Sequence, residues 1–291
     1  MPPLSLSHAR DPDEFDRLAF DFLAAREAEH NLLFGIIAGV RSGAYAQPAY
    51  FAVVRDGDLV VAAALRTPPF NLVLSAIDDD EALALFADDA QRMWADLPGV
   101  LGQKRHAKAF ASLWAERTGS VASVHTAERI FRLQLVVPPR PVRGRMRGAA
   151  PADVPLVASW LNAFNVEALR HSPERDEARI AAERFIAGIG NRTLYLWDDG
   201  TPVSMTGVAA VTPNGSRVGP VYTPPELRGR GYASALVAAA SQAQLDAGRR
   251  FCFLFTDLAN PTSNKIYRDI GYERVCDVDE YRFEGPAAAD T

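Results

Sequence analysis

The sequence predicts an α+β fold used twice, each copy a mixed β-sheet flanked by helices. Two observations carry that reading. The stretch Val136-Val137-Pro138-Pro139-Arg140-Pro141 places three prolines within four residues, which holds the backbone extended and ends any regular element. It divides the chain into residues 1–139 and 140–291. On both sides of it the hydrophobic periods give the same order: helices, meandering strands, helix, strand, helix, strand. The residues of the two halves do not visibly align, so the duplication rests on layout alone.

The first half opens with residues 13–37, where Phe15, Leu18, Phe22 and Leu23 predict helix. Residues 49–54 and 59–65 read as strands around the turn Arg55-Asp56-Gly57-Asp58, and 71–77 as another strand. A helix over 81–94 starts at Asp78-Asp79-Asp80. Residues 100–103, a helix over 106–117 and a long strand region over 121–137 follow. The second half has helices over 152–168, with Asp153 in the first turn, and over about 174–187. Strands follow at 193–197, 202–210 and 217–222, the first two joined by Asp198-Asp199-Gly200. A helix over 231–247, a strand over 251–256, a helix over 261–270 and a last strand near 278–283 complete it. The tail over 285–291 is small and polar and is expected to fray.

Composition narrows the function. Hydrophobic residues make up 48% and charged residues 23% of 291, a globular balance in a chain long enough to bury a core without staples. The formal net charge of −5 gives no basic surface for nucleic acid and disfavours an anionic membrane. Cys252, in the apolar run Phe251-Cys252-Phe253-Leu254-Phe255, and Cys276 allow at most one bridge and lack metal-ligand spacing. His8, His30, His106 and His125 are scattered, so no metal is expected. No Gly-x-Ser-x-Gly elbow supports a hydrolase triad. Met1-Pro2-Pro3-Leu4-Ser5 lacks the basic start and apolar stretch of a signal peptide, and no apolar run could span a bilayer. A reducing, cytoplasmic setting is expected.

The informative segment runs from Val218 to Leu236: a strand, the turn Thr223-Pro224-Pro225-Glu226-Leu227, the loop Arg228-Gly229-Arg230-Gly231, then a helix from Tyr232-Ala233-Ser234. Glycines let the backbone approach a ligand closely. The first helical N–H groups lack intrahelical partners, and the helix dipole makes that end positive. Arg228 and Arg230 add charge to this anion site. A dinucleotide fingerprint would need Gly or Ala where Ser234 stands, and a Walker A loop would need Gly-Lys-Ser/Thr, which is absent.

The spacing Arg228-x-x-Gly231-x-Ala233 resembles the Arg/Gln-x-x-Gly-x-Gly/Ala pattern of the GNAT N-acetyltransferase superfamily. A second motif follows in the right order: Asn260-Pro261-Thr262-Ser263-Asn264-Lys265-Ile266-Tyr267, ending at Gly271-Tyr272. Asn260, Ser263 and Tyr267 share one helical face, and Gly271 stands where a glycine ends a helix. The resemblance covers about half of the chain, and the wording of both motifs is similar to the FR-type predicted acetyltransferases related to glycine N-acyltransferases. It implies a GNAT-like domain in the second half and a degenerate copy in the first.

The resemblance implies acetyl-CoA as co-substrate, gripped by Arg228, Gly229, Arg230, Gly231, Tyr232, Ala233 and Ser234 at the pyrophosphate. It implies that Val221, Tyr222 and Thr223 hold the pantetheine, that Asn260 and Ser263 complete the site, and that Tyr267 protonates the departing thiolate. Pro220 suits a strand that splays from its neighbour, since proline cannot donate to a ladder. The strand before the turn lacks the carboxylate that many relatives place there. Glu167, His171, Asp257 and water stay open as the base. The acceptor is expected to be a primary amine on a small molecule or peptide. The rival reading is a non-catalytic acyl-CoA sensor or partner-binding protein on the same fold.

Overall fold

The computed structural model describes residues 3–168, 176–209 and 212–285. The chain divides into two compact units, Met1–Ile130 with Cys276–Thr291, and Phe131–Val275. The sequence puts its boundary at Pro139. The prolines there lie wholly inside the second unit, and each unit takes strand residues from beyond the break.

The first unit contains β1 (Ser5–His8), α1 (Pro12–Ala25), α2 (Asn31–Arg41), β2 (Tyr50–Asp56), β3 (Leu59–Arg66), β4 (Leu72–Leu74), α3 (Glu81–Met93), β5 (Gly99–Gln103), α4 (Lys104–Thr118) and most of β6 (Val121–Leu133). Strands β1 to β4 meander antiparallel, and β4 runs parallel to β5. The outer neighbour of β5 is β12 (Glu273–Glu284), antiparallel, with Val278 opposite Gln103 and Arg282 opposite Gly99. Strand β2 is apolar at consecutive positions because helices cover both faces. Phe51 and Val53 pack with α1 and α2, and Ala52 and Val54 with α3 and α4.

The second unit repeats the layout: β7 (Arg145–Gly148), α5 (Val154–Ala168), α6 (Glu177–Ile186), β8 (Arg192–Asp198), β9 (Pro202–Ala209), β10 (Gly215–Tyr222), α7 (Tyr232–Asp246), β11 (Phe251–Asp257) and α8 (Pro261–Asp269). Strands β7 to β10 are antiparallel, and β10 meets β11 in parallel. Helices α5 and α6 cover Leu194, Leu196 and Met205. Helices α7 and α8 cover Val208, Val218, Cys252 and Leu254.

Three expectations change. The predicted helix over 13–37 is two helices. The Arg26 N–H closes α1 onto the Leu23 carbonyl, and the buried His30 side chain also takes that carbonyl, at 2.9 Å. The strand predicted over 71–77 stops at Leu74, because the Ser75 hydroxyl accepts the Ala63 N–H at 2.9 Å in place of a backbone rung. The edge strands β1 and β7, of four residues each, add to the predicted elements, since so short a run gives no readable period. Among the described residues, no helix is long and apolar enough to cross a membrane.

Candidate functional site

The site grows from a failure of strand pairing. Strand β10 pairs with β11 at Gly215, Ser216 and Arg217 and no further. Residues 218–222 therefore diverge from β11, leaving backbone groups on that side without a strand partner. On its other side β10 follows β9, with Val218 opposite Val208 and Val221 opposite Thr206. Gly219 and Pro220 thus stand against one residue, Gly207, which makes a β-bulge. A Cβ on Gly207 would meet the Gly219 carbonyl oxygen at 2.7 Å, so the close approach needs glycine there.

The bulge re-aims the end of the strand. Without it, Val218 and Tyr222 would share a face. With it, Val218 packs under α7 and α8 while Tyr222 packs with α5 and α6, its ring 6.3 Å from Trp160. There the Tyr222 hydroxyl donates to Glu167 Oε1 at 3.1 Å, and Arg228 donates to Glu167 Oε2 at 2.6 Å. Arg228 also donates to the Thr223 carbonyl at 2.8 Å and lies 5.7 Å from the Tyr222 ring centre. Burial, then the Glu167 carboxylate, raise the Tyr222 phenol above its ordinary range. Ser204 fastens the strand end: its buried hydroxyl lies 3.1 Å from the Tyr222 carbonyl oxygen and 2.8 Å from Thr223 Oγ1. Nothing in the sequence marks Ser204, since one serine in an apolar strand has no period of its own.

After β10 a short 3₁₀ turn, Pro225–Leu227, leads to Arg228 and the two glycines. Gly229 and Gly231 have φ of +77° and +86°, a conformation that costs an L side chain about 1–2 kcal/mol. Gly231 is the N-cap of α7, and no side chain caps that helix. The contrast within the chain is direct. Asp11 accepts two N–H groups at the start of α1, and Asn260 Oδ1 accepts the Ser263 N–H at 3.0 Å at the start of α8. On α7 the first bonded amide is Ala235, to the Gly231 carbonyl. The N–H groups of Tyr232, Ala233 and Ser234 have no acceptor among the described residues. The Tyr232 hydroxyl is engaged by Asp199 at 2.9 Å, and Arg230 donates to the Glu226 carbonyl at 3.1 Å.

Tyr267 arrives from α8. It is 8% exposed and belongs to the same apolar cluster as Val218 and Leu254, against which Val221 packs. The two diverging strands and the tyrosine therefore share one cluster. Its ring lies 6.4 Å from Phe131 and 6.0 Å from Tyr272. Its hydroxyl has no hydrogen-bond partner among the described residues, and burial pushes the phenol up to about 12. A neutral, unengaged phenol at neutral pH is a proton donor.

The other sequence-derived candidates take different places. Asn260 caps α8, and Ser263 provides the amide it caps. Asp257 closes the turn after β11, accepting the Ala259 N–H at 2.7 Å. Glu167 stands with Tyr222 and Arg228. His171 lies outside the described residues. Cys252 is fully buried, and burial pushes its thiol up to about 12, which disfavours the nucleophilic thiolate. Among the described residues, no group of three His, Cys, Asp or Glu could hold a metal ion.

Residues 155–272 match the model of the acetyltransferase (GNAT) family. Solved structures share the fold. A tandem GNAT protein from the clavulanic acid biosynthesis pathway superposes with a TM-score of 0.57 at 16% identity, covering 99% of this chain and 100% of that one. A GCN5-related N-acetyltransferase from Sphaerobacter thermophilus gives 0.61 at 15% identity, covering 99% and 98%. One from Kribbella flavida gives 0.55 at 17% identity, covering 78% and 88%. At these identities the likeness shows the fold. No curated protein matches the sequence.

Proposed function

We propose that the chain, whose residues 155–272 match the model of the acetyltransferase (GNAT) family, is an N-acetyltransferase. It moves an acetyl or other short acyl group from acyl-CoA to a primary amine by direct attack. One observation carries the reading: the β10–β11 pairing ends at Arg217, and the strand so released leads straight into an uncapped helix.

The residues present fit a CoA thioester. The free N–H groups of Tyr232, Ala233 and Ser234, with Arg228 and Arg230 beside them, suit a pyrophosphate. The unpaired side of residues 221–223 suits the amide-bearing pantetheine arm. The thioester supplies the activated acyl group. The chain aligns it beside β10, Tyr267 gives its proton to the departing sulfur, and Glu167 receives the proton lost by the amine. The inert thiol of Cys252 supports direct transfer over an acyl-enzyme on that residue. Among the described residues, the degenerate first half has no matching anion turn; its helix α3 starts at carboxylates, with Asp79 Oδ1 accepting the Glu81 N–H at 2.9 Å.

The test is release of CoA thiol on incubation of the full chain with acetyl-CoA and a panel of amines spanning amino acids, polyamines, drug-like amines and peptide N-termini. Acetyl-CoA that binds but is never turned over with any amine favours the sensor reading. An absence of acetyl-CoA binding removes both.

A further inference from the structure

In the first unit, the sheet end where β2 begins and β3 closes has no part in the chemistry above. Arg66 is the last residue of β3 and lies opposite Tyr50 at the start of β2. It is 6% exposed, and a charge so far withdrawn from water is ordinarily paired with a carboxylate. Here it is not. Its Nε donates to the Phe70 carbonyl at 2.8 Å, and its guanidinium carbon stands 4.5 Å from the centre of the Trp94 ring. Neither partner carries a charge. Among the described residues, the two Nη groups have no hydrogen-bond partner and the side chain makes no ion pair.

The carboxylates nearby do not fill that role. Asp89, 3% exposed, is saturated by other donors. Its Oδ2 accepts from the Tyr50 hydroxyl and from His8 Nε2, each at 2.7 Å, and its Oδ1 from Arg92 at 3.2 Å. The Tyr50 ring stands edge-on to Trp94 at 4.8 Å, so the saturated carboxylate and the unpaired guanidinium flank one aromatic pair. Asp96, two residues beyond Trp94, is exposed; its charge acts on Arg66 without forming an ion pair. An indole face favours a cation, but less than a desolvated carboxylate does.

The missing partner has a definite chemistry. A planar fork with both Nη groups free suits a carboxylate. One buried positive charge is balanced by a monoanion, whereas a phosphate dianion would bury surplus negative charge. Phe70, whose carbonyl receives Arg66, is 60% exposed, and its ring stands edge-on to Tyr45 at 6.2 Å. A large aromatic surface left open on the turn that holds a buried charge suits the apolar body of an acid. We propose that Arg66 anchors a binding site for a small monocarboxylate with an apolar or aromatic body, the carboxylate on its Nη groups and the body against Phe70. The site gives the first unit a ligand of its own and does not depend on the acyl-CoA reading.

The experiment is calorimetry on the full chain with 3-phenylpropionate, its neutral amide 3-phenylpropionamide, and acetate, for the wild type, Arg66→Met, Arg66→Lys and Phe70→Ala. Wild type should bind phenylpropionate about 10- to 100-fold more tightly than the amide, the worth of hydrogen bonds to a charged group. Arg66→Met should lose that preference. Its melting temperature without ligand should match or exceed wild type, because an unpaired buried charge has been replaced by an apolar stem. Arg66→Lys keeps the charge without the fork and should weaken phenylpropionate about tenfold. Phe70→Ala changes an exposed side chain; it should weaken phenylpropionate and leave acetate unchanged. Three results would overturn the site: no binding of phenylpropionate to the wild type, equal affinity for acid and amide, or an Arg66→Met or Arg66→Lys chain that binds the acid as wild type does. A marked fall in the melting temperature of Arg66→Met would overturn it as well, since the Trp94 face and the Phe70 carbonyl would then satisfy the guanidinium by themselves.

Discussion

Tyr267→Phe is the sharpest test of the chemistry. The change removes one hydroxyl and keeps the ring that packs against Phe131 and Tyr272. Because that hydroxyl has no partner among the described residues, its loss forfeits none of the roughly 0.5–1.5 kcal/mol a hydrogen bond contributes to folding. The melting temperature should therefore stay close to wild type. Acetyl-CoA affinity should also hold, since the anion contacts come from the Arg228–Ser234 turn. Turnover should fall about 10²–10⁴-fold, the range of a positioned general acid, or about 3–5 kcal/mol of barrier at 1.36 kcal/mol per tenfold. A thiolate leaves fairly well unaided, which places the expected loss at the lower end. The loss should sit in kcat, as for an interaction formed in the transition state. Burial pushes the phenol up to about 12, so it stays protonated through the assay range and the shape of the pH profile should not change. The assay is steady-state kinetics on an identified amine, with thermal melting and calorimetry on the same preparation. A folded Tyr267→Phe chain with wild-type kcat removes Tyr267 from the mechanism.

Glu167→Gln should lower kcat about 10²–10⁴-fold as loss of a general base. Acetyl-CoA affinity should hold or rise, because Arg228 is freed from its carboxylate; unchanged kcat rules Glu167 out. Gly231→Asp should abolish acetyl-CoA binding by calorimetry, whereas Gly231→Ala, which shares the cost of φ +86° and the contact with Val142 but adds no charge, should keep measurable affinity; equal behaviour of the two would mean strain, not anion binding. Crystals soaked with acetyl-CoA should show no cofactor in the first unit, where Asp78 pairs with Arg26 and Asp80 with Arg105. His30 is buried, its Nε2 accepts the Ala76 N–H at 3.0 Å, and burial holds its pKa down at about 4. Its contribution to stability is complete above the unfolded value of about 6.5 and is lost as pH falls toward 4, on the order of 3 kcal/mol. Chemical denaturation across that window should show the slope, and His30→Gln should flatten it.

What the sequence determined by itself is local. The order of elements, the turn that ends at an open helix, the Asn260 cap and the placement of Tyr267 on the next helix all come from spacings within one or two turns of chain. Periodicity, glycine conformation and capping are properties of neighbours. The three-proline stretch marked a break in regular structure, and the structure places those residues in the second unit rather than between the two.

The tertiary structure decided what depends on distant partners. Glu167 was one carboxylate among several until α5 brought it to Tyr222 and Arg228, 55 and 61 residues away. Tyr222 reaches it only because Gly219 and Pro220 together face a single residue of β9, which turns the strand over by one position. No local period records that flip, since it exists only relative to the neighbouring strand. The same holds for β12, which completes the second repeat in the sequence but pairs with β5 in the first unit. A strand's residue pattern states that it will pair; which strand it pairs with is set by backbone hydrogen bonds common to every residue, and so is fixed only once the chain has folded.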